Sequence, residues 1–174
     1  MGLFFDIKTP EDKKLMDAYD QSVLVFRTEV AKAMEAAAAK EPSIAEPMLA
    51  AAEAMRLRPL PSEANSNTDA LKRVTLSAVT LEQAFARAFA LADSDDARKA
   101  IMSVPAAMRD IGKTTTSLPE FAALTQGAQQ AMATLKPAVA GEMAGRTLDQ
   151  HVQELKKLAV KPAPKALTPK APKP

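Results

Sequence analysis

Four residues near the middle of the chain have the order of a phosphate-binding loop. In Ile111-Gly112-Lys113-Thr114 a glycine, a lysine and a threonine follow one another, as they do where backbone N–H groups and a lysine hold phosphate oxygens. The full motif also needs a glycine at position 107, which is Ala107, and a preceding strand, which the sequence does not predict. We therefore interpret Gly112 as a helix C-cap, a position that favours glycine.

The acidic run Asp93-Ser94-Asp95-Asp96 offers the oxygen ligands that Ca²⁺ and Mg²⁺ prefer. A calcium loop of the EF-hand type would need glycine at 98 and glutamate at 104, but these positions hold Arg98 and Val104. A serine N-cap followed by aspartates in the first turn is a favourable start for a helix. The run therefore predicts a helix beginning rather than a metal site.

The chain has one histidine, His151, and no cysteine. This composition excludes disulfides, thiolate nucleophiles and sites built from two histidines. Glutamates such as Glu29 and Glu53 lack the Glu-x-x-His partners of di-iron bundles, so we interpret them as solvated helix faces, and we expect His151 to be exposed. The sequence therefore predicts no catalytic, cofactor-binding or metal-binding residue, and we expect that the protein is not an enzyme.

The composition favours helices over any other secondary structure. Leu, Ile, Val and Phe together make 36 of the 174 residues, and Ala alone makes another 36. Ala is the best helix former and lets helices approach closely, and no stretch alternates with the period of a strand. We predict an all-α bundle of five to six helices, with residues 1–160 as the folded domain.

Two long stretches have apolar residues at steps of three and four, which place them on one face of a helix. We call each of these apolar faces a seam. Because both seams have the same period and length, we expect the two helices to pack as a long antiparallel pair. Shorter helices would then be added around them. The seam residues are Met16, Tyr19, Val23, Phe26 and Val30 in the first helix and Leu71, Val74, Leu81 and Phe85 in the second.

Capping residues, prolines and glycines set the expected helix boundaries. The segment 63–68 is predicted to be an exposed loop, with Thr68 or Asp69 capping the next helix. Pro105 should kink or break its helix, and 137–146 should be weakly helical because it contains Pro137 and two glycines. The predicted helices are residues 10–40, 47–58, 69–92, 95–111, 118–136 and 148–160.

The composition changes abruptly after Val160. Residues 161–174 contain five prolines and four lysines, Lys161, Lys165, Lys170 and Lys173, which predicts an extended, disordered tail. The four lysines exceed the formal charge of the whole chain, +2, so the rest of the chain carries about −2. In composition the tail is similar to those of linker histones and some granule-associated bacterial proteins, which attract polyanions by counterion release.

These patterns predict a non-enzymatic interaction module, an adaptor or scaffold that either self-associates or docks helices of a partner through uncovered seam surface. One alternative is a polyanion- or granule-surface-associated protein that uses the tail lysines for weak contacts. Another is a small-molecule-sensing bundle with a pocket near Met48, Met55, Met102 and Met108. The start of the chain has neither a secretory signal nor a membrane-spanning run, so a soluble, cytoplasmic protein is expected.

Overall fold

The structure, a computed structural model, describes residues 5–115 and 120–159. These ranges form seven α-helices and a 3-10 turn at Pro42–Ile44, and they contain no strand, so the predicted all-α class is confirmed. The helices are α1 (Pro10–Lys40), α2 (Ala45–Arg56), α3 (Pro61–Ser66), α4 (Thr68–Leu91), α5 (Asp95–Thr115), α6 (Glu120–Met143) and α7 (Leu148–Ala159).

The first and last helices begin where their capping residues predict. The Asp12 N–H donates to Thr9 Oγ1 at 3.0 Å, and the Thr9 N–H donates to the Asp12 carboxylate at 3.2 Å. The same reciprocal pair joins Thr147 and Gln150, at 2.8 and 3.1 Å. Each pair satisfies two backbone donors that a helix start leaves unpaired, so these two boundaries follow from local chemistry. The sequence also predicts such a pair between Ser117 and Glu120 at the start of the fifth helix, but these side chains lie outside the described residues.

The predicted loop at 63–68 is wrong. Residues 61–66 form the short helix α3, and Asn67, rather than Thr68 or Asp69, caps α4. The Asn67 side-chain oxygen accepts from the Asp69 N–H at 2.8 Å. Pro61 stands at the first helical position, where its missing N–H is harmless. Burial of Asn65 and Ala64 supplies the tertiary support that so short a helix needs.

Two helices continue through prolines that were expected to interrupt them. Pro105 lies inside α5 and Pro137 lies inside α6. An interior proline opposes a helix by about 3 kcal/mol, but Ile101 and Val104 are fully buried directly before Pro105, and such burial offsets this term. Gly112 is interior to α5 and is not its C-cap, so that prediction is wrong.

The predicted antiparallel pairing of the two long helices is also wrong. The helix α2 packs against both α1 and α4, whereas α1 and α4 do not pack along each other. Arg56 of α2 pairs with Glu35 of α1, and Arg87 of α4 pairs with Glu46 near the start of α2. These contacts make α2 antiparallel to both neighbours, so α1 and α4 run in the same direction on either side of it. The apolar seam of a helix shows which face is buried, but it does not show which other helix packs against that face.

The larger core joins the second half of α1 to α2, α5 and the end of α4. Its fully buried members include Val30, Met34, Met48 and Ile101, and alanines fill much of the space between them. Ala33 and Ala37 share a groove with Ala100, and a Cβ added at Gly112 would lie 3.9 Å from Phe26. The helix α5 therefore runs antiparallel along α1.

The first half of α4 is buried on almost every side, since α2, α3, α6 and α7 all pack on it. Its buried hydroxyl groups have partners: Thr75 and Thr80 donate to carbonyls one turn earlier at 3.1 and 2.8 Å, and Ser77 donates to the Ala54 carbonyl at 2.9 Å. The bond from Ser77 joins α4 to α2. It is favourable to the fold because a buried hydroxyl without a partner would lower stability. Across 5–115 and 120–159, no helix is both long and apolar enough to cross a membrane.

Candidate functional site

A cleft opens where the first half of α1 extends past the end of α2. The helix α1 has 31 residues and α2 has 12, which correspond to about 46 and 18 Å at 1.5 Å per residue. Beyond the end of α2, the short helix α3 and residues 58–61 only partly fill the space between α1 and α4. The cleft holds about 110 Å³. Its lining residues are Phe5, Met16, Tyr19, Val23, Arg58, Pro59, Pro61, Ala64, Asn65, Leu71, Val74, Gln129 and Met132.

Three helices supply the apolar surface of the cleft. Leu71 and Val74 of α4 form a floor in which each is only 6% exposed. The half-buried Val23 of α1 and Met132 of α6 line it as well. A solvated cleft of this kind gains free energy when an apolar group displaces its water, at about 25 cal/mol per Å² buried. The cleft is therefore suited to receive an apolar group.

Two arginines bind the carbonyl groups at the end of α2. Arg73 Nε donates to the Leu57 carbonyl at 2.9 Å, and its Nη2 contacts Glu63 at 3.4 Å. Arg27 donates through Nη1 to the Arg58 carbonyl. Cations stabilise the negative end of a helix and satisfy its unpaired carbonyls. These two guanidinium groups therefore have structural roles beside the cleft.

Arg58 lines the cleft itself, and Tyr19 lies close enough to influence it. Burial lowers the pKa of the Arg58 guanidinium, while the nearby Tyr19 phenol acts in the opposite direction. Burial raises the pKa of Tyr19, and the Arg58 charge opposes this. At neutral pH Tyr19 is consequently a neutral hydroxyl that can donate a hydrogen bond, and Arg58 remains a cation because its ordinary pKa is so high.

Asn65 holds the start of the chain at one end of the cleft. Its side chain accepts from the Phe5 N–H at 2.9 Å and donates to the Phe5 carbonyl at 2.7 Å. Asn65 is only 6% exposed, so these bonds are well shielded from water. They place Phe5 among the lining residues of the cleft.

The structure separates the predicted seam residues into two groups. Met16, Val30, Leu71 and Val74 are buried, whereas Tyr19, Val23, Phe26, Leu81 and Phe85 are half-buried. Five of them, Met16, Tyr19, Val23, Leu71 and Val74, meet at the cleft. The others lie farther along their helices, where Val30, Phe26, Leu81 and Phe85 belong to or pack on the larger core. The tail lysines Lys161, Lys165, Lys170 and Lys173 lie outside the described residues.

The methionine pocket predicted from the sequence does not form. Met48 and Met55 are fully buried in the larger core, whereas Met102 is 57% exposed on α5. Side chains in such different environments cannot line one cavity together. The cleft instead lies beyond the end of α2, with Met16 and Met132 in its walls.

His151 is fully buried, which contradicts the predicted exposure. It lies three residues after Leu148 and four before Leu155, on the face of α7 that packs inward. Its Nδ1 is 3.4 Å from Thr80 Oγ1, while Nε2 has no hydrogen-bond partner among the described residues. Burial lowers the pKa of His151, and the Met143 backbone acts in the opposite direction. The histidine joins α7 to α4 and does not face the cleft.

The part of the chain that the structure describes contains no cluster of three or more His, Cys, Asp or Glu side chains that could hold a metal ion. Ser94 Oγ accepts from the Ala97 N–H at 3.1 Å, and Arg98 pairs with Asp95 at 2.6 Å. The acidic run therefore begins α5 as predicted.

Sequence reasoning missed Arg58 and Asn65 as cleft residues. Arg58 precedes Pro59-Leu60-Pro61, so its backbone is restricted, but this pattern does not indicate where its side chain lies. The bond from Asn65 to Phe5 joins residues sixty positions apart, and no local pattern could have indicated it.

Comparisons with known protein families, with characterised proteins and with solved structures find nothing that matches this chain.

Proposed function

We propose that the protein is a non-enzymatic interaction module that docks an apolar segment of a partner protein in the cleft between α1 and α6. One observation carries the proposal. The helices α1 and α6 both contribute to the cleft above α4, yet within the described residues they make no extensive contact with each other. They therefore leave an open cleft between them, whose walls include the half-buried Val23 and Met132.

The arrangement suits recognition of a segment with a few apolar anchors. A known mode of peptide recognition places the apolar face of a helix in a groove between helices, with anchor residues spaced by three and four. An apolar cavity of about 150 Å³ holds a benzene molecule, so the 110 Å³ of the cleft suits one apolar anchor smaller than an aromatic ring. The rest of the segment would lie along α1 and α6.

The chemistry of the lining supports binding rather than catalysis. General acid–base catalysis works best with a group whose pKa lies near the working pH. The described residues that line the cleft include no histidine, carboxylate or lysine. Their titratable groups are Tyr19 and Arg58, both of which keep one protonation state near neutral pH.

The proposal is tested by changing the cleft and then a matched site on the same helix. Val23 lines the cleft, whereas Val25 is 39% exposed and lies about 200° around α1 from it. Val23→Asp should reduce capture of a specific partner at least about tenfold, and Val25→Asp should leave capture unchanged, because burying a carboxylate in an apolar interface is unfavourable.

Circular dichroism melting must first establish that both variants fold. A partner identified by quantitative mass spectrometry is then purified, and its affinity for each variant is measured by calorimetry. Equal capture by the two variants would exclude the cleft as the docking surface. A strict monomer in light scattering, with no partner recovered, would count against the interaction function as a whole.

A further inference from the structure

Arg58 differs from Arg56 and Arg73, which also lie near the end of α2. Arg56 pairs with Glu35 at 2.8 Å, and Arg73 pairs with Glu63 at 3.4 Å. Within residues 5–115 and 120–159, Arg58 forms no ion pair with a carboxylate, although it lies at the wall of an apolar cleft. The cleft thus combines a cation with adjacent apolar surface.

A guanidinium in such a place is unfavourable while it lacks a counter-charge. Removal of a charge from water is costly unless an opposite charge and hydrogen bonds replace the water. Burial already lowers the pKa of Arg58, which reports this loss of solvation. A carboxylate would restore the balance, because guanidinium and carboxylate groups can form two parallel hydrogen bonds.

We infer that the segment docked in the cleft brings a carboxylate, flanked by apolar side chains, to Arg58. The inference rests on the proposed function, since it specifies the partner segment that the same cleft receives. The source of the carboxylate is an aspartate or glutamate side chain of the partner. Leu71 and Val74 receive the flanking apolar side chain.

The backbone around Arg58 is restrained by its neighbours. Pro59 and Pro61 stand on either side of the short connection that follows Arg58, so its backbone is restricted. The Arg58 carbonyl is held by Arg27, which further fixes the residue. The guanidinium of Arg58 has five donors in a planar fork that matches the geometry of a carboxylate, so it can discriminate a carboxylate from a neutral group.

Two capped tripeptides test the inference, since neither has a charged terminus. Acetyl-Leu-Glu-Leu-amide carries the carboxylate, and acetyl-Leu-Gln-Leu-amide is its neutral counterpart. In ¹⁵N-resolved NMR titrations the acidic peptide should bind the full-length protein at least about tenfold more tightly. The preference should persist in Arg56→Met, which alters a neighbouring exposed arginine, and should disappear in Arg58→Met.

Several results would overturn the inference. These are equal affinity of the two peptides for the unaltered protein, a preference that survives in a folded Arg58→Met variant, and no binding of the acidic peptide at about 10 mM. A third ligand, 3-phenylpropionate, is a free carboxylic acid with an apolar ring. If it binds through Arg58 and the acidic peptide does not, the carboxylate belongs to a small molecule and the inferred partner segment is wrong.

The peptide result and the partner result can fail separately. If Val23→Asp abolishes partner binding but the peptides are not distinguished, the cleft docks a partner without using Arg58 as an anion site. If the acidic peptide binds more tightly than the neutral one but Val23→Asp leaves partner capture unchanged, the anion site exists and the proposed docking function is wrong.

Discussion

The two ends of α1 lie in environments that differ in packing. The second half, which contains Val30 and Met34, packs in a core where both side chains are fully buried. The first half, which contains Tyr19 and Val23, borders the cleft and stays half-buried. Both halves carry the same apolar period, so periodicity does not distinguish a structural face from a binding face. The length of the neighbouring helix α2 distinguishes them, because α2 covers only the second half of α1.

Small residues account for much of this contrast. The core around α1 and α2 contains buried alanines that allow helices to approach closely: Ala31, Ala37, Ala38, Ala51 and Ala52. At the cleft, the bulkier Tyr19, Met132 and Arg58 surround a space that no side chain fills. The packed half therefore stabilises the fold, and the open half is free to bind.

The largest effect should come from removing a methionine of the packed half. Met48→Ala should lower the free energy of unfolding by about 2–5 kcal/mol, because a fully buried side chain leaves a cavity. Met132→Ala at the half-buried cleft wall should lower it by less than about 1 kcal/mol. Urea denaturation checks both values. Similar losses would show that the two regions do not differ in packing.

Two arginine variants should separate structure from binding. Arg73→Met should destabilise the fold by about 1–3 kcal/mol, since it leaves the Leu57 carbonyl without its donor. Arg58→Met should change the free energy of unfolding by less than about 1 kcal/mol, because it removes a charge that has no carboxylate partner among the described residues. Denaturant melts of both variants provide the measurement, and a large loss in Arg58→Met would assign that side chain to the fold.

The buried histidine should make the fold weaker in acid. The pKa of His151 is below 6.5 in the folded state and near 6.5 in the unfolded state, so the unfolded chain binds the proton more readily. Stability should fall as pH decreases from about 6.5 toward the folded pKa, by at most about 1.4 kcal/mol per pH unit. His151→Gln should reduce this slope in urea titrations, and an unchanged slope would assign the pH dependence to carboxylates.

The smallest expected effect concerns the predicted tail. Deletion of residues 161–174 should leave the denaturation midpoint unchanged, because both ends of the bundle are built from residues before 160. If the tail binds polyanions, its deletion should weaken DNA affinity and remove a salt dependence whose slope is at most about four, one per lysine. Affinity measured over a salt series decides this, and equal slopes with and without the tail would end the polyanion hypothesis.

Much of the fold could be predicted because its signals are local. Thr9 and Thr147 begin helices through bonds to residues three positions away, and the seams indicate which helix faces are apolar. The prolines at 105 and 137 misled the prediction because distant packing stabilises helices that local rules would interrupt. His151 lies in the first turn of α7, where exposure was expected, but its position three residues after Leu148 places it on the inward face of the helix.

The sequence by itself determined most of the helices, their apolar faces and the scarcity of catalytic groups, because caps and periodicity act over a few residues. The tertiary structure decided that α2 lies between the two long helices and ends before α1 does, which leaves the cleft open. It also placed Arg58 beside Tyr19, thirty-nine positions away in the chain. The sequence shows that an apolar helix face must be covered. Which helix covers it, and where surface remains for a partner, depends on how all the apolar faces pack together.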